Sequence, residues 1–381
     1  MDFNFSEEQL QLQEAVTRFV QGDYSFEHRR AVLATPQGWS RDVWKGLADL
    51  GVLAMIVPED QGGLGYGPIE TQLALQSTGP ALLAEPLLTS GIIATALVRD
   101  FAEEPVRSEL LGQLATGERI LVVAHQEAAA RGDVSVVDTT ATATASGGGV
   151  VLNGAKSVIY HAAAADELIV SAREGAGVSL FRVPKGTAGL DLRPYATIDG
   201  QRAAEVTLTN ATLPASARLG AAGQGLLAVE RALDIGLAAV TAEAVGIMEA
   251  TVSATGEYLK TRQQFGQPIG RFQALQHRMA DMLLHLEQAR SMSYLAAMDC
   301  ENTDDDARRQ TLSAAKVTIG QACRFIAQQS VQLHGGMGMT DELNVSHWFK
   351  RLLAIELSFG DTDLHLERFA KLSQRAALQA A

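Results

Sequence analysis

The chain has 381 residues, of which 47% are apolar and 20% are charged, and its 31 basic and 44 acidic side chains give a formal net charge of −13. This length predicts more than one packed unit, and the acidic balance argues against a surface for nucleic acid or an anionic membrane, because both attract clustered lysine and arginine. The two cysteines, Cys300 and Cys323, stand in neither a disulfide framework nor a metal-ligand spacing, so we expect no metal site.

The N-terminal sequence MDFNFSEEQL is acidic and has no apolar core, so it does not predict a secretion signal. No uninterrupted apolar run reaches the length that a bilayer-spanning helix needs. We therefore expect a cytoplasmic protein without a membrane partner.

The first domain, residues 1–118, is predicted to be helical. Ser6 followed by Gln9 is a capping box that starts the first helix, and apolar spacing predicts a second helix over 41–50. The density of glycine and proline predicts a loop over 58–68, after which helices resume. No strand precedes the glycines of this loop, so they favour a structural turn over a phosphate cradle.

Residues 119–218 are predicted to form a middle, barrel-like β-domain. Its segments are short, rich in β-branched residues and bounded by turns. Asn153-Gly154 lies between two apolar runs, and both residues tolerate the positive φ of a type I′ turn, which predicts a hairpin there. The predicted strands cover 120–125, 149–160, 167–172, 177–183 and 204–210.

Residues 219–381 are predicted to form a C-terminal antiparallel four-helix bundle, because the helical segments are long and carry apolar stripes. The fold class is therefore α+β, with helical, β and helical-bundle domains in that order. The predicted helices cover 225–261, 272–298, 305–333 and 345–357, and a last one begins at 363.

Four ordered segments resemble the acyl-CoA dehydrogenase family of FAD flavoproteins, and the resemblance covers essentially the whole chain. The two most specific are TRQQFGQPIGRFQALQHRMADM at 261–282 and QLHGGMGMT at 332–340, both in the predicted bundle. PEDQGGLG at 58–65 and NGAK at 153–156 also match. The resemblance implies FAD as the cofactor and an acyl-CoA as the substrate.

The residues of these motifs suit the contacts that the resemblance implies. The guanidinium of Arg262 can bind a phosphate through two charge-assisted hydrogen bonds, and Phe265, in a turn with Gly266, can cover an aromatic or ribose group. The glycines after residue 334 let backbone N–H groups approach a pyrophosphate closely. By resemblance, these groups bind the ADP half of a FAD across a dimer interface; the implied set is Arg262, Phe265, Gln273, Gln332, His334, Gly335 and Gly336. The resemblance also implies that Thr362 contacts the cofactor.

Each residue of this set also has a purely structural interpretation. Arg262 alone is typical of a cation at a helix C-terminus, and His334-Gly335-Gly336 alone is typical of a helix C-cap. The ordered combination favours the cofactor.

The family's reaction requires a carboxylate that removes the α-proton of the acyl-CoA, usually a glutamate just before Gly-Thr. Counting forward from Arg351 without a gap places Gly360 at that position, whereas counting backward from the last helix places Asp361 there. Asp361 is shorter than glutamate, and an aspartate before an apolar run is typical of a helix N-cap. The sequence therefore offers Asp361 as a catalytic base or as a cap.

The family's alternative base position, on an earlier bundle helix, falls at Gly236, and the arginine beside it falls at Leu237. Glu230 lies out of register, and Glu243 lies two turns beyond Gly236 on nearly the same face, about 10 Å along the axis. Neither is a convincing replacement.

The segments that contact the chain's own flavin in the family are altered here. Residues 126–133 read QEAAARGD, in which only Glu127 and Asp133 match, and the aromatic-x-Thr after NGAK reads Val158-Ile159-Tyr160. The half-site lent to a neighbouring subunit is therefore intact, while the half-site for its own flavin is eroded.

These observations support four hypotheses. The first is an active dehydrogenase with Asp361 as base, with electron-transfer flavoprotein as acceptor, in a homo- or hetero-oligomeric dimer of dimers. The second is a catalytically silent subunit that completes the FAD site of a paralogous subunit. The others are non-oxidative chemistry on a CoA thioester and simple acyl-CoA binding.

Overall fold

The computed structural model describes residues 5–144 and 147–380, and its elements follow the predicted order of helices, strands and helices. The helices are α1 (Glu7–Asp23), α2 (Phe26–Leu33), α3 (Arg41–Asp49), α4 (Pro68–Thr78), α5 (Thr95–Phe101), α6 (Val106–Ala115), α7 (Gly225–Thr261), α8 (Gln273–Asp299), α9 (Asp305–His334), α10 (Asn344–Leu357) and α11 (Thr362–Ala380). The strands of the main sheet are β1 (Leu121–Ala124), β2 (Thr140–Ala143), β3 (Gly149–Tyr160), β4 (Glu167–Glu174), β5 (Gly177–Pro184), β6 (Leu190–Ala196), β7 (Arg202–Pro214) and β8 (Arg218–Leu219).

The contacts divide the chain into two compact units. The first combines Met1–Phe26, Pro68–Leu83 and Leu237–Ala381, and the second combines Glu27–Gly67 and Ala84–Gly236. Each unit joins segments that are distant in sequence, so the predicted domain limits at 118 and 218 stay predictions.

Local sequence signals explain the start of the first helices. Ser6 and Gln9 form the predicted capping box at α1, and the side chain of Ser40 accepts a hydrogen bond from the backbone of Val43 to cap α3. Helix α2 was not predicted, because its eight residues are too few to show a periodic pattern. In the 58–68 loop a Cβ on Gly63 would lie 2.1 Å from the carbonyl oxygen of Val57, so a close backbone contact requires this glycine.

The second unit contains the sheet, whose strand order is β6-β7-β3-β2-β4-β5-β8, with β1 beside β4. Pairs β1–β4 and β2–β4 are parallel, and the other pairs are antiparallel. The path begins at β6 and ends at β8, so the described strands form an open sheet rather than a closed barrel. Strands β2 and β6 were not predicted, since TATA and LDLRPYA lack an apolar run.

The predicted hairpin at Asn153-Gly154 is wrong, because both residues lie inside the single strand β3. The register of β3 against β7 shifts there, and Gly154 has φ of 149°. A Cβ on Gly154 would lie 2.6 Å from the Cα of Thr139, so this glycine allows a close tertiary contact instead of a turn. Asn153 accepts a hydrogen bond from the backbone of Asn210 on β7.

The first unit contains the bundle, in which α9 packs against α8, α10 and α11. No uninterrupted apolar run long enough to span a membrane occurs in α7, where Glu243 and Glu249 break the run, but a test of overall length and mean hydropathy applies to this helix as well. This 37-residue helix passes that test by length and composition, although 89% of its most apolar window is buried within the protein. A core helix that is apolar on every side passes the same test.

Candidate functional site

A short hairpin follows the end of α7. Strand β9 (Gln263–Gln264) pairs with β10 (Gln267–Pro268), and the turn between them is formed by Phe265 and Gly266. Their φ angles are 55° and 75°, which is the pattern of a type I′ turn, so the predicted turn is confirmed. The backbone of Ile269 donates to the carbonyl of Arg262 over 2.8 Å and closes the loop.

Phe265 occupies an unfavourable position for an aromatic side chain. Its backbone has positive φ, and 89% of the residue is exposed. Phe272 contacts its ring edge-on at 6.0 Å between centroids, which fixes the ring without covering it. Strained and exposed apolar residues are typical of sites that contact a ligand or another chain.

A stack of two rings holds the C-terminal ends of α7 and α9 together. The ring of Tyr258 lies 4.4 Å from that of His334, and its hydroxyl donates to the carbonyl of His334 over 3.3 Å. Arg262 follows Tyr258 by one turn, and Gly335 follows His334 directly. Arg262 and the Gly335-Gly336 turn therefore lie at the same end of the bundle.

His334 itself is an interior residue. It is 5% exposed, and its Nδ1 donates to the carbonyl of Ser330 over 2.8 Å. Burial lowers the pKa of His334, so the ring is neutral at physiological pH. The structure thus places this predicted cofactor residue between α7 and α9, where it positions its neighbours.

The other predicted cofactor residues of this end are exposed. A Cβ built on Gly335 or Gly336 would meet nothing within 4 Å. Gln273 and Gln332 are exposed as well. Within residues 5–144 and 147–380, the side chains of Arg262, Gln273 and Gln332 make no hydrogen bond or ion pair. This end of the bundle therefore presents a cation, two amides and an open glycine turn with unused hydrogen-bonding capacity.

In the loop between α10 and α11, by contrast, polar groups form hydrogen bonds within the chain. Asp361 accepts a hydrogen bond from the backbone of Leu364 over 2.9 Å, which is the geometry of an N-cap. Its side chain is exposed. Of the two roles predicted for Asp361, the structure contains the cap, and the role as base stays a prediction.

No side chain fits at position 360 without strain. Gly360 has φ of 96°, and a Cβ there would lie 2.9 Å from Cδ2 of Leu364 and 3.2 Å from Nε2 of His365. The backbone is also held from two helices. Nζ of Lys316 donates to the carbonyl of Gly360 over 2.8 Å, and Nε2 of His365 donates to that of Phe359 over 2.9 Å.

Burial sets the protonation of both groups that hold this loop. It lowers the pKa of Lys316 to about 8 and that of His365 to about 4. His365 is therefore neutral at physiological pH and can donate from Nε2 while Nδ1 faces the hydroxyl of Ser313. Neither residue was singled out from the sequence, since their partners are backbone carbonyls about 40 residues away or across a loop.

Thr362 points into the bundle. Its hydroxyl donates to Oε1 of Glu356 over 3.0 Å, and the same oxygen accepts from Arg324 over 2.9 Å. Gly320 on α9 makes this possible, because a Cβ there would lie 2.5 Å from the hydroxyl of Thr362. The predicted contact of Thr362 with the cofactor stays a prediction.

Residues next to the family's two base positions, 236 and 360, contact the same apolar cluster. Phe359, which precedes Gly360, packs against a buried group that contains Leu237 and Ala238. Leu237 follows Gly236, the alternative base position. The residues next to both positions are therefore apolar and packed together.

Glu243 is engaged elsewhere. Nε of Arg351 donates to Oε1 of Glu243 over 2.7 Å, and a terminal nitrogen donates to Oε2 over 2.8 Å. Both residues are buried. A bidentate pair of this kind ties α7 to α10 and directs both carboxylate oxygens of Glu243 towards Arg351.

In the second unit, the two altered flavin-facing segments are neighbours. The backbone of Ser157 donates to the carbonyl of Gln126 over 2.9 Å, which joins the 126–133 segment to β3. Val158, at the family's aromatic position, has φ of 55° and is 38% exposed. Glu127 is buried against Lys156. Of the two acids retained in this segment, Glu127 therefore pairs with a lysine in the interior.

Comparisons with known proteins agree along the whole chain. Family models described as the acyl-CoA dehydrogenase N-terminal, middle and C-terminal domains match residues 6–118, 123–211 and 223–373. The acyl-CoA dehydrogenase FadE27 of Mycobacterium tuberculosis is 28% identical over 384 residues, covering 97% of this chain and 98% of that protein.

Two solved structures are similar in fold and sequence. The ChsE4-ChsE5 complex from Mycobacterium tuberculosis has a TM-score of 0.87 and 26% identity, over 97% of this chain and 98% of that one. PigA with FAD and proline has a TM-score of 0.89 and 27% identity, over 98% of this chain and all of that one.

Proposed function

Because the chain belongs to the acyl-CoA dehydrogenase family, whose members bind FAD, we propose that it is a subunit of a heteromeric acyl-CoA dehydrogenase. In this proposal the subunit completes the FAD site of a paralogous subunit, and the paralogue supplies the carboxylate that removes the α-proton. The complex would be a dimer of dimers in the cytoplasm, with electron-transfer flavoprotein as acceptor.

One contrast carries the proposal. The end of the bundle that holds Arg262, Phe265 and the Gly335-Gly336 turn has donors without partners among the described residues. At the base position, by contrast, the positive φ of Gly360 strains any side chain, and Phe359 packs against an apolar cluster. A surface that can bind a flavin but lacks the acid fits a supporting subunit better than an autonomous catalyst.

The exposed residues suit the ADP half of FAD by their chemistry. The guanidinium of Arg262 would bind the pyrophosphate, and backbone N–H groups of Gly335 and Gly336 would approach it closely. Gln273 and Gln332 each offer an amide that can donate and accept. When bound, FAD accepts the substrate's β-hydrogen as hydride. This chain's contribution is to hold and orient the cofactor.

The similarity to the ChsE4-ChsE5 complex supports a heteromeric assembly, since that structure contains two differently named chains. It does not name the acyl group that this chain's complex would act on. The proposed substrate class is therefore acyl-CoA thioesters.

The test is the visible absorbance of the purified protein, alone and co-expressed with a homologue that has glutamate before Gly-Thr. We expect little flavin absorbance from the isolated chain and a yellow complex that oxidises an acyl-CoA. Stoichiometric flavin and acyl-CoA oxidation by the isolated chain would contradict the proposal.

A second candidate, autonomous dehydrogenation with Asp361 as base, is favoured by one observation. The side chain of Asp361 is exposed. The backbone of Leu364 donates to Oδ1, so Oδ2 is the oxygen that could accept a proton. Replacing Asp361 by asparagine separates the two candidates, because asparagine keeps the helix cap and removes the carboxylate.

A further inference from the structure

A buried polar cluster in the second unit underlies the 126–139 segment. The segment has no helix or strand, yet several of its backbone groups bond to interior side chains. The cluster consists of His125, Glu127, Lys156 and Ser171. Each of these residues is at most 6% exposed.

Lys156 is at the centre of the cluster. Its side chain is fully buried, and Nζ donates to Oε1 of Glu127 over 2.6 Å and to the hydroxyl of Ser171 over 3.0 Å. A buried ammonium is costly unless it is paired and hydrogen-bonded. Here both conditions hold, although burial lowers the pKa of Lys156.

From Lys156 the hydrogen bonds continue in one direction to the segment. Ser171 lies 2.8 Å from Nδ1 of His125, and Nε2 of His125 lies 2.9 Å from the carbonyl of Val134. A carbonyl can only accept, so Nε2 carries the proton and Nδ1 accepts from Ser171. Burial lowers the pKa of His125 to about 4, which keeps this neutral tautomer.

Glu127 holds the other end of the segment. Its carboxylate accepts from the backbones of Asp138 over 2.7 Å and Thr139 over 3.0 Å, and from the hydroxyl of Thr139 over 2.7 Å. Gly154 lets Thr139 approach β3. Two residues of the NGAK motif thus act on this segment. Gly154 leaves space for Thr139 at its end, and Lys156 forms an ion pair with Glu127 near its start.

We propose that Lys156 is a positioning residue that holds the 126–139 segment in shape on the sheet. The segment includes 126–133, which the family uses to contact flavin, so this inference deepens the proposed function and rests on it for the role of the segment. The shape itself does not depend on flavin, and it can be tested without the cofactor.

Trypsin provides the test, because Arg131 is the sole basic residue in 126–139 and is exposed. In the full-length chain, Lys156→Met leaves Glu127 buried without its cation. We expect cleavage after Arg131 to rise by about tenfold, as local opening of the segment becomes easier. Rates at other sites should stay within about twofold.

Three further variants make the result decisive. Arg182→Met is the matched control in the same sheet. It removes one salt bridge of Glu167, which keeps its second salt bridge with Arg119, and should leave cleavage after Arg131 unchanged. The double variant Glu127→Leu/Lys156→Met also removes the carboxylate that accepts from Asp138 and Thr139, so cleavage after Arg131 should stay at least as fast as in Lys156→Met. Lys156→Arg, which keeps the cation, covers the case in which the methionine variant does not fold, and should stay within about threefold of the parent rate.

An unchanged rate after Arg131 in Lys156→Met, or an equal rise at every site, would overturn the proposal. Failure of the proposed function is seen separately, in the flavin absorbance of the isolated and co-expressed chain. If the isolated chain carries its own flavin and Lys156→Met still raises cleavage after Arg131, the proposed function is overturned and the positioning role of Lys156 is not.

Discussion

Two regions of the bundle use their polar groups in opposite ways. Around Arg262 and the Gly335-Gly336 turn, side chains with hydrogen-bonding capacity are exposed and have no partner among the described residues. Around Gly360, carbonyls are bonded to Lys316 and His365 from neighbouring helices. The two regions are roughly 28 Å apart along α9.

This difference separates binding from catalysis. The exposed donors around Arg262 have no acceptor among the described residues, so they can bind the acceptor groups of a ligand or of another subunit. Burying them in an assembly without such an acceptor would be costly. A region whose carbonyls bond to buried side chains, as around Gly360, contributes to stability. Substitutions of single residues in and near the two regions test that separation.

Glu243→Gln should be strongly destabilising. It leaves Arg351 buried without its bidentate counter-ion, which costs about 3 kcal/mol. Thermal denaturation should show a melting temperature lower by several degrees. Glu249→Gln on the same helix is the control, because the salt bridge of Glu249 with Arg290 is partly exposed and contributes about 1 kcal/mol or less. A Glu243→Gln protein of normal stability in a complex without activity would instead identify Glu243 as a catalytic acid or base.

Arg262→Met should weaken flavin binding without affecting the fold. Loss of a charge-assisted contact to phosphate costs about 2 kcal/mol, or roughly thirtyfold in affinity. The measurement is the flavin absorbance retained by the co-expressed complex after dialysis. Lys260→Met, two residues earlier and also exposed, removes the same charge and should leave flavin retention unchanged. Equal losses in both variants would mean that net charge, rather than a specific contact, binds the cofactor.

Acid should destabilise the loop region through His365. The folded pKa is about 4 against 6.5 for the free group, so between these values the unfolded chain binds the extra proton. The stability that neutral His365 contributes is therefore complete above pH 6.5 and is lost as the pH falls towards 4. Denaturant titrations from pH 7.5 to 4 should show about one proton less taken up on unfolding in His365→Gln. Parallel curves for both proteins would show that His365 titrates normally.

Asp361 should give the smallest effect. Asp361→Ala removes the cap of α11 and should cost about 1 kcal/mol, whereas Asp361→Asn, also a good cap, should be nearly neutral. Activity of the co-expressed complex should be unchanged in Asp361→Asn. A fall by about a thousandfold or more would identify Asp361 as the base.

Features that depend on local chemistry could be predicted from the sequence. The bounds of α7 agree with the prediction because a long apolar pattern defines them, and the Phe265-Gly266 turn follows from neighbouring residues. The Asn153-Gly154 hairpin was wrong because a tertiary contact with Thr139 decides that backbone. The partners of Lys316 are carbonyls about 40 residues away in sequence, and no side-chain pattern reveals a carbonyl.

The turn at Gly360 has a consequence for the history of this polypeptide. A point mutation that introduced glutamate at this codon would force the new side chain against Leu364 and His365 on a backbone that disfavours every residue but glycine. A glutamate at this position would therefore need an accompanying change in the turn or in Leu364 before its carboxylate could be held without strain.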